Sequence, residues 1–372
     1  MKIDRSKPFN ELLGLPPEAD IESKTILKKC VRTARVLAEL KTAGRLIPNQ
    51  SVLINTILFL EANASSEIEN IVTTTDNLFR YSSAEDEARD PAVKETLRYR
   101  TALYQGYLAL STRPVCTATA VKVCQTLRNI EIDIRDVPGT VIADEKTKNV
   151  IYTPPEGESL IRGKLANWEK FINEAEEIDP LIRFALMHYQ FLAIHPFTDG
   201  NGRTGRILNI LFLVQEDLLK IPVLFLSRYI INHKTQYYRL LRGVTEKGEW
   251  EAWILYMLDA LENTSAWTVA KINAISELLE HTCKFVRNRL PKIYSQELVE
   301  MIFIQPYCRI GNLVESHIAK RQTASNYLKS LVDIGVLLEH KVGREKLFLH
   351  PKFLKLLTGD SHTFRRYRMS GR

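Results

Sequence analysis

At 372 residues, with 45% hydrophobic and 26% charged side chains, the chain has the length for two or three domains and the composition of globular cores rather than of a disordered polymer. No run of about 18 apolar residues occurs, and Met1 to Asp20 contains no apolar targeting segment, so neither a membrane span nor a signal peptide is expected and the cytoplasm is the expected compartment. Five cysteines, at 30, 116, 124, 283 and 308, are odd in number and scattered, which argues against a disulfide scaffold or a thiolate metal site and for reduced, structural thiols.

In chain order, apolar faces predict helices over 22–44 and 49–62, available to the core or to a second copy of the chain. Residues 65–70 follow as Ser-Ser-Glu-Ile-Glu-Asn, in which Ser66 and Glu69 stand in the Ser-x-x-Glu relation of a helix-starting capping box. The acidic stretch Ser83 to Asp90 reads as an exposed loop. Between Val137 and Pro155, the runs Thr140-Val-Ile-Ala and Val150-Ile-Tyr-Thr flank a polar stretch from Asp144 to Asn149, the pattern of a short β-hairpin.

Asp179 and Pro180 form an N-cap and first-turn pair, and Leu181 to Ile194 is apolar on nearly every face, as a buried central helix would be. The segment after it reads His-Pro-Phe-Thr-Asp-Gly-Asn-Gly-Arg-Thr-Gly-Arg over 195–206, and Ile207 to Val214 is again apolar all round. Gly200-Asn201-Gly202 is therefore expected to turn the chain into a second buried helix. The first amides of that helix lack intrahelical partners and carry the positive end of its dipole, which suits phosphate oxygens. Asp199 is a candidate Mg²⁺ ligand, since that ion commonly takes one carboxylate together with substrate phosphates. Arg203 and Arg206 offer planar forks to outer phosphates, and His195 is a side chain able to take a proton near neutral pH. Phe197 is expected to anchor the loop in the core. Further on, His233 to Leu241 reads as a helix carrying Tyr238.

The last part of the chain is basic. Lys292 to Arg372 holds 14 Lys and Arg against 7 Asp and Glu, an excess equal to the formal net charge of +7 for the whole chain. Helical patterns over Tyr294 to Ile304, Ile310 to Ser316 and Gln322 to Asp333 precede strand-like Val336 to Glu339 and Lys346 to His350, joined through Val342-Gly-Arg. This order looks like a winged helix-turn-helix, with Lys320, Arg321, Gln322, Thr323 and Asn326 at the start of its recognition helix. Such a module would bind DNA through salt-sensitive phosphate contacts or dock a protein. His362 to Arg372 reads as a disordered basic tail.

The segment 195–206 resembles the Fic motif HPFx(D/E)GNGRxxR, with every specified position matched. The resemblance implies a protein adenylyltransferase that moves AMP from ATP to a Ser, Thr or Tyr hydroxyl of a target protein or of the chain itself. It implies His195 as general base and Asp199 as the Mg²⁺ ligand. Gly200, Asn201, Gly202, Arg203, Thr204, Gly205 and Arg206 would form the anion hole and ATP-binding turn, and Tyr238 would lie at the adenine. It further implies that the hairpin is a flap beside the site that clamps the target by strand addition. Residues 65–70 are similar to the inhibitory pattern (S/T)xxxE(G/N), at Ser65, Glu69 and Asn70, and imply that Glu69 pairs with Arg206 and displaces the γ-phosphate. Related readings are removal of AMP, with Glu69 orienting a water, and a transcription regulator whose Fic core is a sensor. Fic proteins also form dimers, so a homodimer is among the implied partners, and no membrane is.

The expected fold is mainly α: an all-helical Fic fold with a β-hairpin flap, followed by a C-terminal winged helix-turn-helix. The expected divisions are an N-terminal helical region over 1–110 with an inhibitory helix at about 64–70, a catalytic core over 111–290, a winged helix over 291–358 and a basic tail over 359–372. No motif residue lies beyond 291, so that last part is expected to be dispensable for the chemistry.

Overall fold

The computed structural model describes residues 4–47, 49–81, 90–143, 147–304, 306–342 and 345–368. The chain is mainly helical. It begins with α1 (Lys24–Ala43), capped by the Ser23 hydroxyl, and α2 (Ser51–Ile68). After the short α3 (Thr75–Tyr81) comes α4 (Pro91–Ala109), where Asp90 accepts from the Ala92 amide and Pro91 takes the first turn. The acidic loop expected at 83–90 otherwise falls outside the described residues. Next are α5 (Thr117–Arg128) and an antiparallel hairpin of β1 (Ile142–Ala143) and β2 (Val150–Tyr152), in register Ile142 with Tyr152 and Ala143 with Val150. Part of the polar turn between these strands, 144–146, lies outside the described residues.

The centre of the molecule is built by α6 (Glu158–Glu174), α7 (Pro180–Ile194) and α8 (Asn201–Gln215). As the sequence predicts, Asp179 caps α7, accepting from the Leu181 amide at 2.8 Å, and Pro180 opens it. The uniform apolarity of α7 has its explanation in what surrounds it. The buried indoles of Trp168 and Trp253 donate to its Met187 and Ala185 carbonyls at 3.0 and 2.8 Å, and α8 packs along it closely enough that a Cβ on Gly205 would come within 3.3 Å of the Phe191 ring. After α9 (Leu226–Asn232) and α10 (Lys234–Lys247), the 40-residue α11 (Trp250–Arg289) spans the body against α1 and α7. No described helix is long and apolar enough to cross a membrane, and all five cysteines are free.

The carboxyl-terminal part runs α12 (Gln296–Ile304), β3 (Tyr307–Cys308), α13 (Ile310–Glu315), α14 (Arg321–Asp333), β4 (Leu338–Val342), β5 (Glu345–Leu349) and α15 (Pro351–Thr358). Its three strands form an antiparallel sheet in the order β3-β5-β4. The expected helices and hairpin strands are present within a few residues; β3 and α15 are additions, because a two-residue strand and a helix of eight residues carry too little periodicity to be seen in the sequence. The turn expected at Gly343 and Arg344 lies outside the described residues. Lys320, Arg321, Gln322, Thr323 and Asn326 are all exposed at the start of α14.

Two expectations for this region need correction. The stretch from His362 to Arg368 is not a disordered tail: the Tyr367 ring stacks on Phe285 at 4.7 Å, its amide donates to His281 Nε2 at 2.7 Å, and Arg366 pairs with Glu277 at 2.7 Å, all on α11. An aromatic ring among the arginines supplies the burial that a purely basic tail would lack. Residues 369–372 lie outside the described set. Nor does the module stand apart. α12 packs on α2, the Tyr307 hydroxyl donates to Asp76 at 2.6 Å, and the Lys271 ammonium on α11 donates to the Leu356 and Gly359 carbonyls at 2.6 and 2.8 Å. Removing everything after 291 would uncover the side of α2, the helix that leads into Glu69, against which α12 packs.

Candidate active site

The segment 195–206 is a tight loop between α7 and α8. His195 closes α7 in the left-handed region, φ 51° and ψ 60°, with its amide donating to the Phe191 carbonyl at 3.0 Å. For a residue with a Cβ that backbone costs about 1–2 kcal/mol, so the surroundings must hold it. Part of the holding comes from Phe197, which is fully buried as expected; burying such a ring contributes roughly 1.5–3 kcal/mol. Asn201 completes the loop, its side chain accepting from the Phe197 amide at 2.9 Å and donating to the Phe197 carbonyl at 2.8 Å. The Asn201 carboxamide is thus spent on the loop, and only its backbone amide is left for a ligand.

Gly200 supplies the positive φ of 86° from which α8 starts, and no side chain caps that helix. Helix N-termini inside proteins are usually capped by Ser, Thr, Asp or Asn; an uncapped one beside buried guanidinium groups is equipped for an anion. Thr204 is buried, and its hydroxyl has no hydrogen-bond partner among the described residues. The two arginines diverge. Arg203, 2% exposed, reaches α4 and donates to Glu95 at 2.6 Å, whereas Arg206, 1% exposed, reaches α2.

On α2 the expected pairing of Glu69 with Arg206 is present. Arg206 donates from Nε to the Ser65 hydroxyl at 2.8 Å, and from Nη2 to the Ser65 carbonyl at 2.9 Å and to Glu69 Oε1 at 2.8 Å. The Glu69 carboxylate lies directly over Gly202, where an added Cβ would sit only 2.2 Å from Oε1. A side chain at 202 would therefore displace the Glu69 carboxylate from where it stands. Glu69 and Asn70 end α2, and Asn70 adopts φ 60°, a conformation tolerated by Gly and Asn above other residues. That accounts for Gly or Asn at this place. Residues 65–70 are the last turn of α2 rather than a separate helix, and because Ser66 and Glu69 stand at its end, the capping-box reading is ruled out.

Several residues that complete the site gave no signal in the sequence. Arg128, closing α5, pairs with Asp199 at 2.6 Å and with Glu95 at 3.3 Å, so a chain of charges runs from Asp199 through Arg128 and Glu95 to Arg203. Glu61, fully buried on α2, accepts from the Ser227 hydroxyl at 2.5 Å, the Ser227 amide at 2.8 Å and the Tyr99 hydroxyl at 3.0 Å. It ties α2 to α9 and α4. Arg135, after α5, donates from Nε to the His195 carbonyl at 2.7 Å. Each of these partners lies far from 195–206 in sequence, and an arginine or glutamate in an isolated chain reads as solvated surface. The hairpin meets the site through Tyr152, whose hydroxyl donates to the Ala193 carbonyl at 2.8 Å. Tyr238 is exposed on α10 with its ring edge-on to Tyr237 at 5.2 Å.

Among the described residues no three His, Cys, Asp or Glu side chains gather as a metal cage. The donor set still fits Mg²⁺ in the form expected, one exposed carboxylate at Asp199 with the remaining ligands to come from phosphates and water. Arg128 would have to yield it.

Burial and then the Arg135 guanidinium push His195 down to about 4, outweighing Glu69 and Asp199, which act the other way. The imidazole is therefore neutral at pH 7, the form that can accept a proton. Two further histidines are buried and neutral: His188, at about 3 through burial and the Arg206 charge, whose Nε2 meets the Tyr237 hydroxyl at 2.7 Å, and His350, at about 3 through burial. Below the ordinary histidine value of 6.5, the unfolded chain binds protons that these folded rings refuse, so stability falls as pH falls. Glu61, raised by burial, opposes this, but His281 and His362, also lowered by burial, add to the histidine side. Each histidine held neutral in the fold costs about 1.4 kcal/mol per pH unit in this window. The thermal midpoint is accordingly expected to drop by several degrees between pH 7 and pH 5; a flat profile would show that these rings are not buried neutral.

Comparison with known proteins matches this architecture piece by piece. Residues 118–213 match the Fic/DOC family model, residues 27–108 the Fic/DOC family N-terminal model, and residues 278–353 the model described as protein adenylyltransferase SoFic-like, C-terminal domain. This chain belongs to the Fic/DOC family. Protein adenylyltransferase fic-1 of Caenorhabditis briggsae is 31% identical over 163 residues, which cover 43% of this Fic/DOC chain and 29% of that protein. Protein adenylyltransferase Fic of Drosophila melanogaster is 24% identical over 176 residues, 45% of this chain and 34% of that protein. The chain thus spans about a third of the length of these curated relatives. A crystal structure of a Fic family protein from Desulfovibrio desulfuricans G20 superposes with a TM-score of 0.54 at 17% identity, covering 88% of this chain and 96% of that one, which establishes the shared fold.

Proposed function

We propose that this Fic/DOC protein is an ATP-dependent protein adenylyltransferase restrained by Glu69. The observation that carries the reading is the Glu69–Arg206 pair, seated over Gly202 at the uncapped start of α8, with the Glu69 charge felt at a neutral His195. In the reaction, His195 takes the proton of a Ser, Thr or Tyr hydroxyl on a target protein or on the chain itself. The freed oxygen attacks the α-phosphorus of ATP in line, and pyrophosphate leaves. Amides of 200–203 and the Arg203 and Arg206 guanidiniums hold the phosphates, so positioning and charge stabilisation supply most of the acceleration. Mg²⁺ at Asp199 would neutralise phosphate charge.

The related reading, removal of AMP from a modified protein, draws support from the position of Glu69: its side chain is about one-third exposed and its charge is felt at His195, where it would orient a water. The exposed polar start of α14 supports a macromolecular contact, DNA or protein, for the carboxyl-terminal module. Intact-mass measurement after incubation with ATP and Mg²⁺ tests the main reading. A gain of one AMP unit, lost when ATP is omitted, is the expected result, whereas a Glu69→Gly chain that stays unmodified and leaves every protein of a lysate unlabelled by α-labelled ATP refutes it.

A further inference from the structure

The end of α7 is held in an unusual way. The last carbonyls of a helix have no intrahelical donors and usually turn to solvent or to amides of the following turn. Here four successive carbonyls are taken by two side chains and one amide from the hairpin and the segment leading into it. The Tyr152 hydroxyl donates to the Ala193 carbonyl at 2.8 Å. Arg135 donates from Nη2 to the Ile194 carbonyl at 3.3 Å, from Nε to the His195 carbonyl at 2.7 Å, and from its amide to the Pro196 carbonyl at 2.9 Å. The same Nη2 also donates to the Pro155 carbonyl at the far base of the hairpin. Arg135 is 4% exposed and has no carboxylate among these partners, so its charge is spent on backbone oxygens. One guanidinium thus joins both legs of the hairpin to the peptide on which the left-handed His195 turns.

We propose that Arg135, with Tyr152 in support, is the positioning residue that sets the His195 backbone and makes the hairpin and the base one mechanical unit. The inference rests on His195 acting as the base. A target segment lying on the hairpin would then be aligned with the imidazole by the same bonds that hold the His195 backbone in place, while the start of α8 is tied to the loop by the Asn201 carboxamide on the Phe197 backbone. Arg135 also bears on the protonation of His195. The charged groups that act on the ring are Arg135, Glu69 and Asp199; Arg135 is the cation among them, and in a Glu69→Gly protein its loss leaves Asp199 alone to favour the imidazolium.

The test is made in the Glu69→Gly protein, where turnover is expected to be measurable, with Arg135→Met, Arg135→Lys and Tyr152→Phe as variants. In Arg135→Met, kcat is expected to fall about 10- to 100-fold with ATP affinity within about twofold, and the acid limb of the kcat profile moves to higher pH. The His195 Cε1–H resonance titrates at correspondingly higher pH, a readout that does not depend on turnover. Arg135→Lys keeps a cation but loses the fork, so it recovers the limb without recovering kcat, and Tyr152→Phe lowers kcat several-fold with the limb unmoved. If Arg135→Met does not fold, the Lys and Phe variants decide. Wild-type kcat in the folded variants, or a loss that falls equally on ATP affinity, overturns the proposal. His195→Ala in the same background separates the causes: an active alanine variant overturns the reading of His195, whereas an inactive one beside fully active Arg135 variants overturns the positioning role alone.

Discussion

Replacing His195 with alanine is expected to slow adenylylation by about 10²- to 10⁴-fold, the usual span for loss of a positioned general base, while ATP affinity stays within a few-fold. The two effects separate because the structure separates the parts. The imidazole stands at the end of α7, and the amides and guanidiniums proposed to hold phosphate belong to α8. Alanine at 195 removes the proton acceptor and leaves the Asn201 brackets about Phe197 untouched. It also relieves a ring held far below its ordinary pKa, so stability in mild acid is expected to rise slightly even as turnover is lost. Rate constants from α-labelled ATP, set beside calorimetric binding of ATP, measure both. Wild-type labelling by the variant would remove His195 from the reaction.

Glu69→Gly should raise adenylylation tenfold or more, since 1.36 kcal/mol of recovered positioning corresponds to about tenfold in rate. In the resting chain the carboxylate engages Arg206 Nη2 at 2.8 Å and covers Gly202, so a nucleotide would meet both an occupied guanidinium and a like charge. Removing it does not set Arg206 adrift: Ser65 still accepts from Nε at 2.8 Å and from Nη2 at 2.9 Å, and Glu61 still anchors α2 through Ser227. The freed fork is therefore already in place for phosphate. Arg206→Ala should not activate, because the ligand goes with the inhibitor's partner, and the double variant should remain slow. A Glu69→Gly protein that binds ATP yet labels no faster would dissociate the pair from inhibition. Loss of AMP-removing activity in that variant would instead favour Glu69 as the residue that orients water.

Local features of the chain were legible without the fold because each rests on short-range chemistry. The Asp179-Pro180 start of α7, the all-round apolarity of α7 and α8, the glycines that open α8, the hairpin and the helix order of the carboxyl-terminal module all follow from spacing, capping and backbone freedom within a few residues. So does the composition of the 195–206 loop, and a resemblance of residues 65–70 to the inhibitory pattern of Fic proteins extends it to the pairing of Glu69 with Arg206, 137 residues away. What the spacing could not reveal is which charges share a buried space. Glu95 with Arg203 and Arg128, Glu61 with Ser227, and Arg135 with the end of α7 are pairs that only packing brings together. Removed from water, such groups must find partners or lose several kcal/mol, and the identity of the partner depends on how helices from distant parts of the chain cross. For the same reason Ser66-x-x-Glu69 reads as a helix start in isolation and stands at a helix end in the molecule, and the arginine-rich end of the chain folds onto α11 because one tyrosine finds a ring to cover.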